Sequence, residues 1–117
     1  MIAPDVGDIP HPSFDPASGR EMKGDHFCIV LTHRAFNECS GLAWTCPIAT
    51  GKQEVAGGLT AVTLMGTGLK VSGIVLCHPI KALDWSASKA SRVDRLEGSA
   101  LDQILDVCTA IIDPARR

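Results

Sequence analysis

The chain has 117 residues, 45% of them apolar and 21% charged, and 11 Lys and Arg against 13 Asp and Glu leave it a net charge of −2. That length is the usual size of one domain with one core, and apolar runs of at most five residues, as at Phe27–Leu31, exclude a membrane span, which takes ~20. The small negative charge gives no global attraction to a polyanion, but residues 1–50 carry three basic and six acidic side chains and residues 51–100 six basic and four acidic ones. A polyanion would therefore be met locally.

The N-terminal MIAPDVGDIP is acidic and proline-containing, without the cationic lead and apolar stretch of a secretory signal, so a cytoplasmic location is expected. Phe27–Thr32 is short and rich in β-favouring residues, and Leu42–Ile48 is similar; both are predicted buried strands, with Trp44 packed inside. Ala61–Met65 alternates, and the Gly66-Thr67-Gly68 turn joins it to a second strand at Gly73–Cys77. Ile80–Trp85 is a further short strand. The period then changes: Leu101, Ile104, Leu105, Cys108, Ile111 and Ile112 recur at three-and-four spacing, which predicts a helix over about 99–113. Ser99 is the expected N-cap, with Asp102 three residues on, and Asp113-Pro114 ends the helix. The expected class is mainly β with α, a curled antiparallel sheet or barrel with one C-terminal helix, in a single domain over 1–117.

Five cysteines are an odd number and none forms a C-x-x-C pair, so reduced thiols are expected and neither a disulfide framework nor a zinc ribbon. Cys77 and His78 are neighbours on a predicted strand and face opposite sides, so they do not share a metal.

The segment FDPASGREMKG, Phe14 to Gly24, followed by a strand and then Ala35-Phe36-Asn37, resembles the opening of the MazF/PemK toxins of toxin–antitoxin pairs. Phe14, Asp15, Pro16, Gly19, Glu21, Gly24 and Asn37 match in register. Cys46–Gly51 is similar to the family's P-[IV]-T-[ST] segment, and Leu64–Trp85 to the PemK branch's glycine-punctuated stretch. The resemblance runs from about Gly7 to Asp113. It implies an SH3-like antiparallel barrel with a C-terminal helix (the CcdB/PemK/MazF-like fold) and a homodimer. It further implies a metal-independent, cofactor-free, sequence-selective endoribonuclease that acts on single-stranded RNA or mRNA, inhibits growth, and is neutralised by a MazE/PemI-like antitoxin.

The positions that carry the family's chemistry are rebuilt. His26 and Phe27 stand where the family has Arg-Pro, Ala49-Thr50 where it has a hydroxyl pair, and Leu76, His78 and Pro79 where the PemK-like strand has arginine, aspartate and glutamine. Two imidazoles, which titrate near ~6.5, can share the acid and base work of metal-free RNA cleavage. If the family register holds, His26 and His78 face one groove with Arg20, Glu21 and Thr50: one ring as base, the other as acid, Arg20 on the phosphate and Glu21 orienting. Lys52, Lys81 and Lys70 are candidate phosphate contacts, and Trp85 a candidate base-stacking platform. His11 and His33 are expected on the surface. The alternative is a catalytically decayed homologue that dimerises and binds antitoxin or RNA. The fold is shared with the gyrase poison CcdB, but the terminal Pro114-Ala-Arg-Arg117 carries no tryptophan to resemble it.

Overall fold

A computed structural model describes residues 2–11, 27–49, 60–88, 91–113 and 115. The elements in chain order are β1 (Asp8–His11), β2 (Phe27–Val30), α1 (Arg34–Ser40), β3 (Ala43–Ala49), β4 (Ala61–Thr63), β5 (Ile74–Leu76), β6 (Lys81–Leu83), β7 (Ser91–Arg95) and α2 (Ser99–Ile112). All pairs are antiparallel. One sheet runs β2-β3-β5-β4 with β6 also on β3, and a second consists of β1 and β7. Among the described residues the barrel is not closed, but the mainly β architecture with a C-terminal helix is the expected one.

Gly7 links the two sheets: its N–H donates to the Val30 carbonyl (2.8 Å) and its carbonyl accepts from the Leu96 N–H (2.9 Å). Its φ is +91°, and a Cβ there would stand 2.4 Å from the Leu96 oxygen. Only glycine both adopts that conformation and leaves the room. The β4–β5 hairpin is the one the Gly66–Gly68 cluster predicts, with Ala61 opposite Leu76 and Thr63 opposite Ile74. Asp94 in β7 clamps the loop after that turn: its carboxylate accepts from the N–H groups of Lys70 (2.6 Å) and Val71 (3.1 Å). Burial works against the charged form, yet the N–H groups of Val71, Arg95 and Lys70 prevail and hold the carboxyl below its usual range.

The core is built by Ile9, Ile29, Cys46, Ile48, Val62, Val75, Leu96 and Ile104, drawn from both sheets and α2. Helix α2 presents the predicted stripe, with Ile104 and Cys108 innermost. Its N-cap is Gly98, not Ser99, and no side chain caps it; Ser99 is the first helical residue, and the Asp102 N–H bonds the Gly98 carbonyl (3.0 Å). Trp44 is not buried: it lies 42% exposed, edge-on to Phe36 of α1 at 5.9 Å, because near the start of β3 its side chain meets that helix, and the core is entered only further along the strand by Cys46 and Ile48. His33 is exposed, as expected, and also caps α1 by accepting the Phe36 N–H at 3.4 Å. His11 is half-buried against Phe27 (ring centroids 4.9 Å apart) rather than on the surface, since β1 lies beside β2.

All five cysteines are free. Cys46, Cys77 and Cys108 meet in the core, where the Cys46 and Cys108 sulfurs are 3.8 Å apart and both lie near the Cys77 carbonyl. The Cys108 contact and burial push the Cys46 thiol up and hold that of Cys77 at about 11. Burial raises half-buried Cys28 to about 11 as well. Because Cys46, Cys77 and Cys108 are buried away from any reagent and Cys28 is half-buried with a raised thiol, exposed Cys39 is expected to react alone with an aromatic disulfide reagent at pH 8, the other four appearing only in denaturant. A native burst of two or more equivalents would contradict this packing.

Candidate functional site

The site is organised by an interruption in the ladder beside β3. The Leu31 N–H donates to the Trp44 carbonyl (2.8 Å), so Trp44, Cys46 and Ile48 turn their main-chain groups toward β2, and Thr45, Pro47 and Ala49 turn theirs away. Pro47 has no N–H to offer on that far side. There β5 pairs Val75 with Ile48, whereas β6 pairs Lys81 with Thr45, a register displaced by three residues. The surplus residues form the excursion Cys77-His78-Pro79-Ile80, drawn tight by the Ile80 N–H on the His78 carbonyl (3.0 Å). Such bulges re-aim side chains.

The outcome is a division of neighbours. Cys77 is fully buried and His78 is exposed, the opposite facing that was expected, but both lie past the end of β5 in the excursion rather than on a strand. The His78 Nδ1 lies 3.1 Å from the Thr60 hydroxyl, and the Cys77 N–H bonds the Thr60 carbonyl (2.8 Å), so Thr60 is tied to the excursion by main chain and side chain. Thr60 escaped the sequence reading; continuing the β4–β5 register one step, which pairs Thr60 with Cys77, would have found it.

Lys81 opens β6 with an exposed side chain, its carbonyl accepting from the Thr45 hydroxyl (3.1 Å). Trp85 lies two residues beyond β6, half-buried, and its indole N–H donates to the Asn37 carbonyl in α1 (3.1 Å). His78, Lys81 and Trp85 thus follow one another along a single stretch of chain beside β3. Leu76, where the PemK-like strand has arginine, is half-buried opposite Ala61. Lys70 is exposed in the loop that Asp94 clamps. His26, Arg20, Glu21, Thr50 and Lys52 lie outside the described residues. The strand ends from which residues 26 and 50 continue are adjacent, because Phe27 pairs with Ile48. No group of three or more His, Cys, Asp or Glu among the described residues could hold a metal ion, and no helix there is long and apolar enough to cross a membrane.

The endoribonuclease PemK of Escherichia coli is 27% identical over 106 residues, 91% of this chain and 80% of that protein. The endoribonuclease toxin ChpB of Escherichia coli (strain K12) is 33% identical over 101 residues, 86% of this chain and 83% of its own length. The crystal structure of MazF from Deinococcus radiodurans superposes with a TM-score of 0.76 at 28% identity, covering 96% of this chain and 98% of that one. A MazE-MazF structure from the same organism gives 0.76 at 25%, covering 97% and 98%. A family model described as PemK-like, MazF-like toxin of type II toxin-antitoxin systems matches residues 5–112. With a match over that much of its length, the chain belongs to the PemK-like, MazF-like toxin family.

Proposed function

We infer that the protein is an endoribonuclease toxin of a type II toxin–antitoxin pair: a cytoplasmic homodimer that cuts single-stranded RNA selectively, without metal, and is neutralised by a MazE/PemI-like antitoxin. The observation that carries this reading is the family match over residues 5–112, among relatives named as endoribonucleases and beside a neighbour solved as MazE-MazF. The exposed imidazole of His78, on an excursion from the sheet and held through Nδ1 by Thr60, supports it chemically. In this reading His78 and His26 share the acid and base roles, Arg20 takes the phosphate, Glu21 orients, Thr50 donates to it, and Lys52, Lys81 and Trp85 hold the strand.

The test is incubation of the purified protein with single-stranded RNA in excess chelator. Discrete fragments are expected, with binding that weakens with salt at a log–log slope near ~−0.7 per phosphate contact. Intact RNA at excess protein would refute cleavage, and a flat salt dependence would remove RNA binding as well. A second reading, a homologue that binds without cutting, is favoured by Leu76: an apolar, half-buried side chain cannot replace a guanidinium. A variant combining Ala49→Thr, His26→Arg and His78→Asp separates the two. Growth arrest from the repaired protein but not from the native one would make the native chain a binder.

A further inference from the structure

Beyond Trp85 the surface folds into a cavity of about 260 Å³ between the N-terminal segment, α1, the end of β6 and β7; its walls include Pro4, Asp8, Arg34, Leu83, Trp85 and Arg92. We propose that this cavity is a nucleotide subsite, in which the Trp85 indole takes the face of a base and the guanidinium groups of Arg34 and Arg92 take its phosphate. The proposal rests on the reading of the protein as one that binds RNA, and it adds two residues that the family motifs do not mark.

Each wall is prepared for that ligand. The Trp85 N–H is committed to the Asn37 carbonyl (3.1 Å), and Asn37 is itself fully buried, so the edge of the ring is fixed and its face remains for stacking. Pro4 and Leu83 add apolar surface. The Arg34 Nε donates to the Ala3 carbonyl (2.9 Å), which sets the plane of the guanidinium, and among the described residues no hydrogen bond engages its terminal nitrogens. Asp8 is the one carboxylate in the wall, and it is already engaged: Arg95 approaches at 3.2 Å and the Asp5 N–H donates to it at 2.9 Å. Arg92 stands further off at 3.8 Å with its side chain 57% exposed, so its ion pair is the weak one and is readily exchanged for a ligand anion. Glu97 balances Arg95 outside the wall (3.2 Å), and within the wall itself two guanidinium groups, Arg34 and Arg92, stand against the one carboxylate of Asp8, which suits a phosphodiester.

Size and position agree with a single nucleotide. The volume lies just below the range of small-molecule sites, ~300–1,000 Å³, too small for a base pair or a folded oligonucleotide. Trp85 follows His78 by seven residues, at most ~23 Å of extended chain. A strand laid along Lys81 from His78 reaches the cavity within a few nucleotides, so the subsite would set which base is accepted at a fixed distance from the reactive phosphate.

The chain has two tryptophans, so a Trp44→Phe variant leaves Trp85 as the sole indole reporter. Titration of that protein with nucleoside 5′-monophosphates is expected to quench and saturate the emission. Inorganic phosphate should do so at no comparable concentration, and adenosine only weakly. Adding Arg34→Gln and Arg92→Gln should weaken the nucleotide at least tenfold. Should Arg34→Gln unfold the protein, Arg92→Gln alone, at an exposed position, still tests the phosphate contact. No quenching, equal quenching in the arginine variants, or quenching by an acidic peptide with none by nucleotide would each overturn the subsite. RNA cleavage without nucleotide quenching defeats this proposal alone. Quenching without cleavage keeps the subsite and defeats the nuclease.

Discussion

Replacing Asn37 by aspartate is expected to lower the free energy of unfolding by about 3–5 kcal/mol, read as a fall in the urea midpoint at unchanged m-value. Asn37 is fully buried, and its carboxamide nitrogen donates to the carbonyls of Pro4 (2.9 Å) and Thr32 (2.8 Å). Its Oδ1 accepts the Thr32 hydroxyl at 2.5 Å, while its main-chain carbonyl receives the N–H of Gly41 and the Trp85 indole. One side chain therefore ties the N-terminal segment to the loop entering α1, and its backbone ties α1 to the chain leaving β6. Aspartate has the same shape but no N–H, so an anionic oxygen would face two carbonyl oxygens where no solvent reaches. Protonation relieves only half the loss, because one O–H serves one carbonyl.

The pH dependence has a definite sign. Burial against carbonyls raises the folded-state pKa of the new carboxyl above its unfolded value. The deficit is then smallest below the unfolded pKa, where both states are protonated, and grows as pH rises through the folded one. A variant as stable as the parent at pH 7, or one whose deficit is larger at pH 4 than at pH 7, would contradict this account of Asn37.

Asn37 also shows what a sequence carries and what it leaves out. The family resemblance marks the residue, but nothing in seven residues of modest helix propensity announces α1, whose ends rest on His33 and Gly41 and whose inner face rests on Trp85. The strand β7, Ser-Arg-Val-Asp-Arg, has no apolar alternation either; it is set by pairing with β1 across a bulge at Val93 and by Asp94 reaching the loop after β4. The β4–β5 hairpin and α2 were legible because glycine spacing and a 3.6-residue period are local signals. A large aromatic in a strand reads as core, but Trp44 sits near the start of β3 against Phe36, and the sequence does not show that α1, rather than the core, meets that end of the strand. At the site, the residue types of His78 and Lys81 were visible. The three-residue displacement that exposes His78 was not, since it follows from where the Pro47 nitrogen points, and that depends on the β2–β3 register.

His78→Ala is expected to slow RNA cleavage by about 10²- to 10⁴-fold, the contribution of one acid or base, while RNA affinity and thermal stability stay close to those of the parent. The side chain is exposed on an excursion outside the ladder, so its removal opens no cavity in the core. A purely structural histidine would show the reverse pattern. Thr60→Val is expected to give a smaller loss, and Thr60→Ser to restore most of it, because the hydroxyl at 3.1 Å from Nδ1 orients the ring without touching the reacting atoms. The pH–rate profile assigns the role: a ring that donates its proton to the leaving 5′-oxygen contributes the fall at high pH, and one that accepts the 2′-hydroxyl proton contributes the fall at low pH. Whichever limb His78→Ala abolishes is the one His78 controls. Partial recovery of the His78→Gly rate by added imidazole is the signature that no change in folding can imitate. A parent protein that cuts RNA at a rate His78→Ala does not alter would remove His78 from the chemistry.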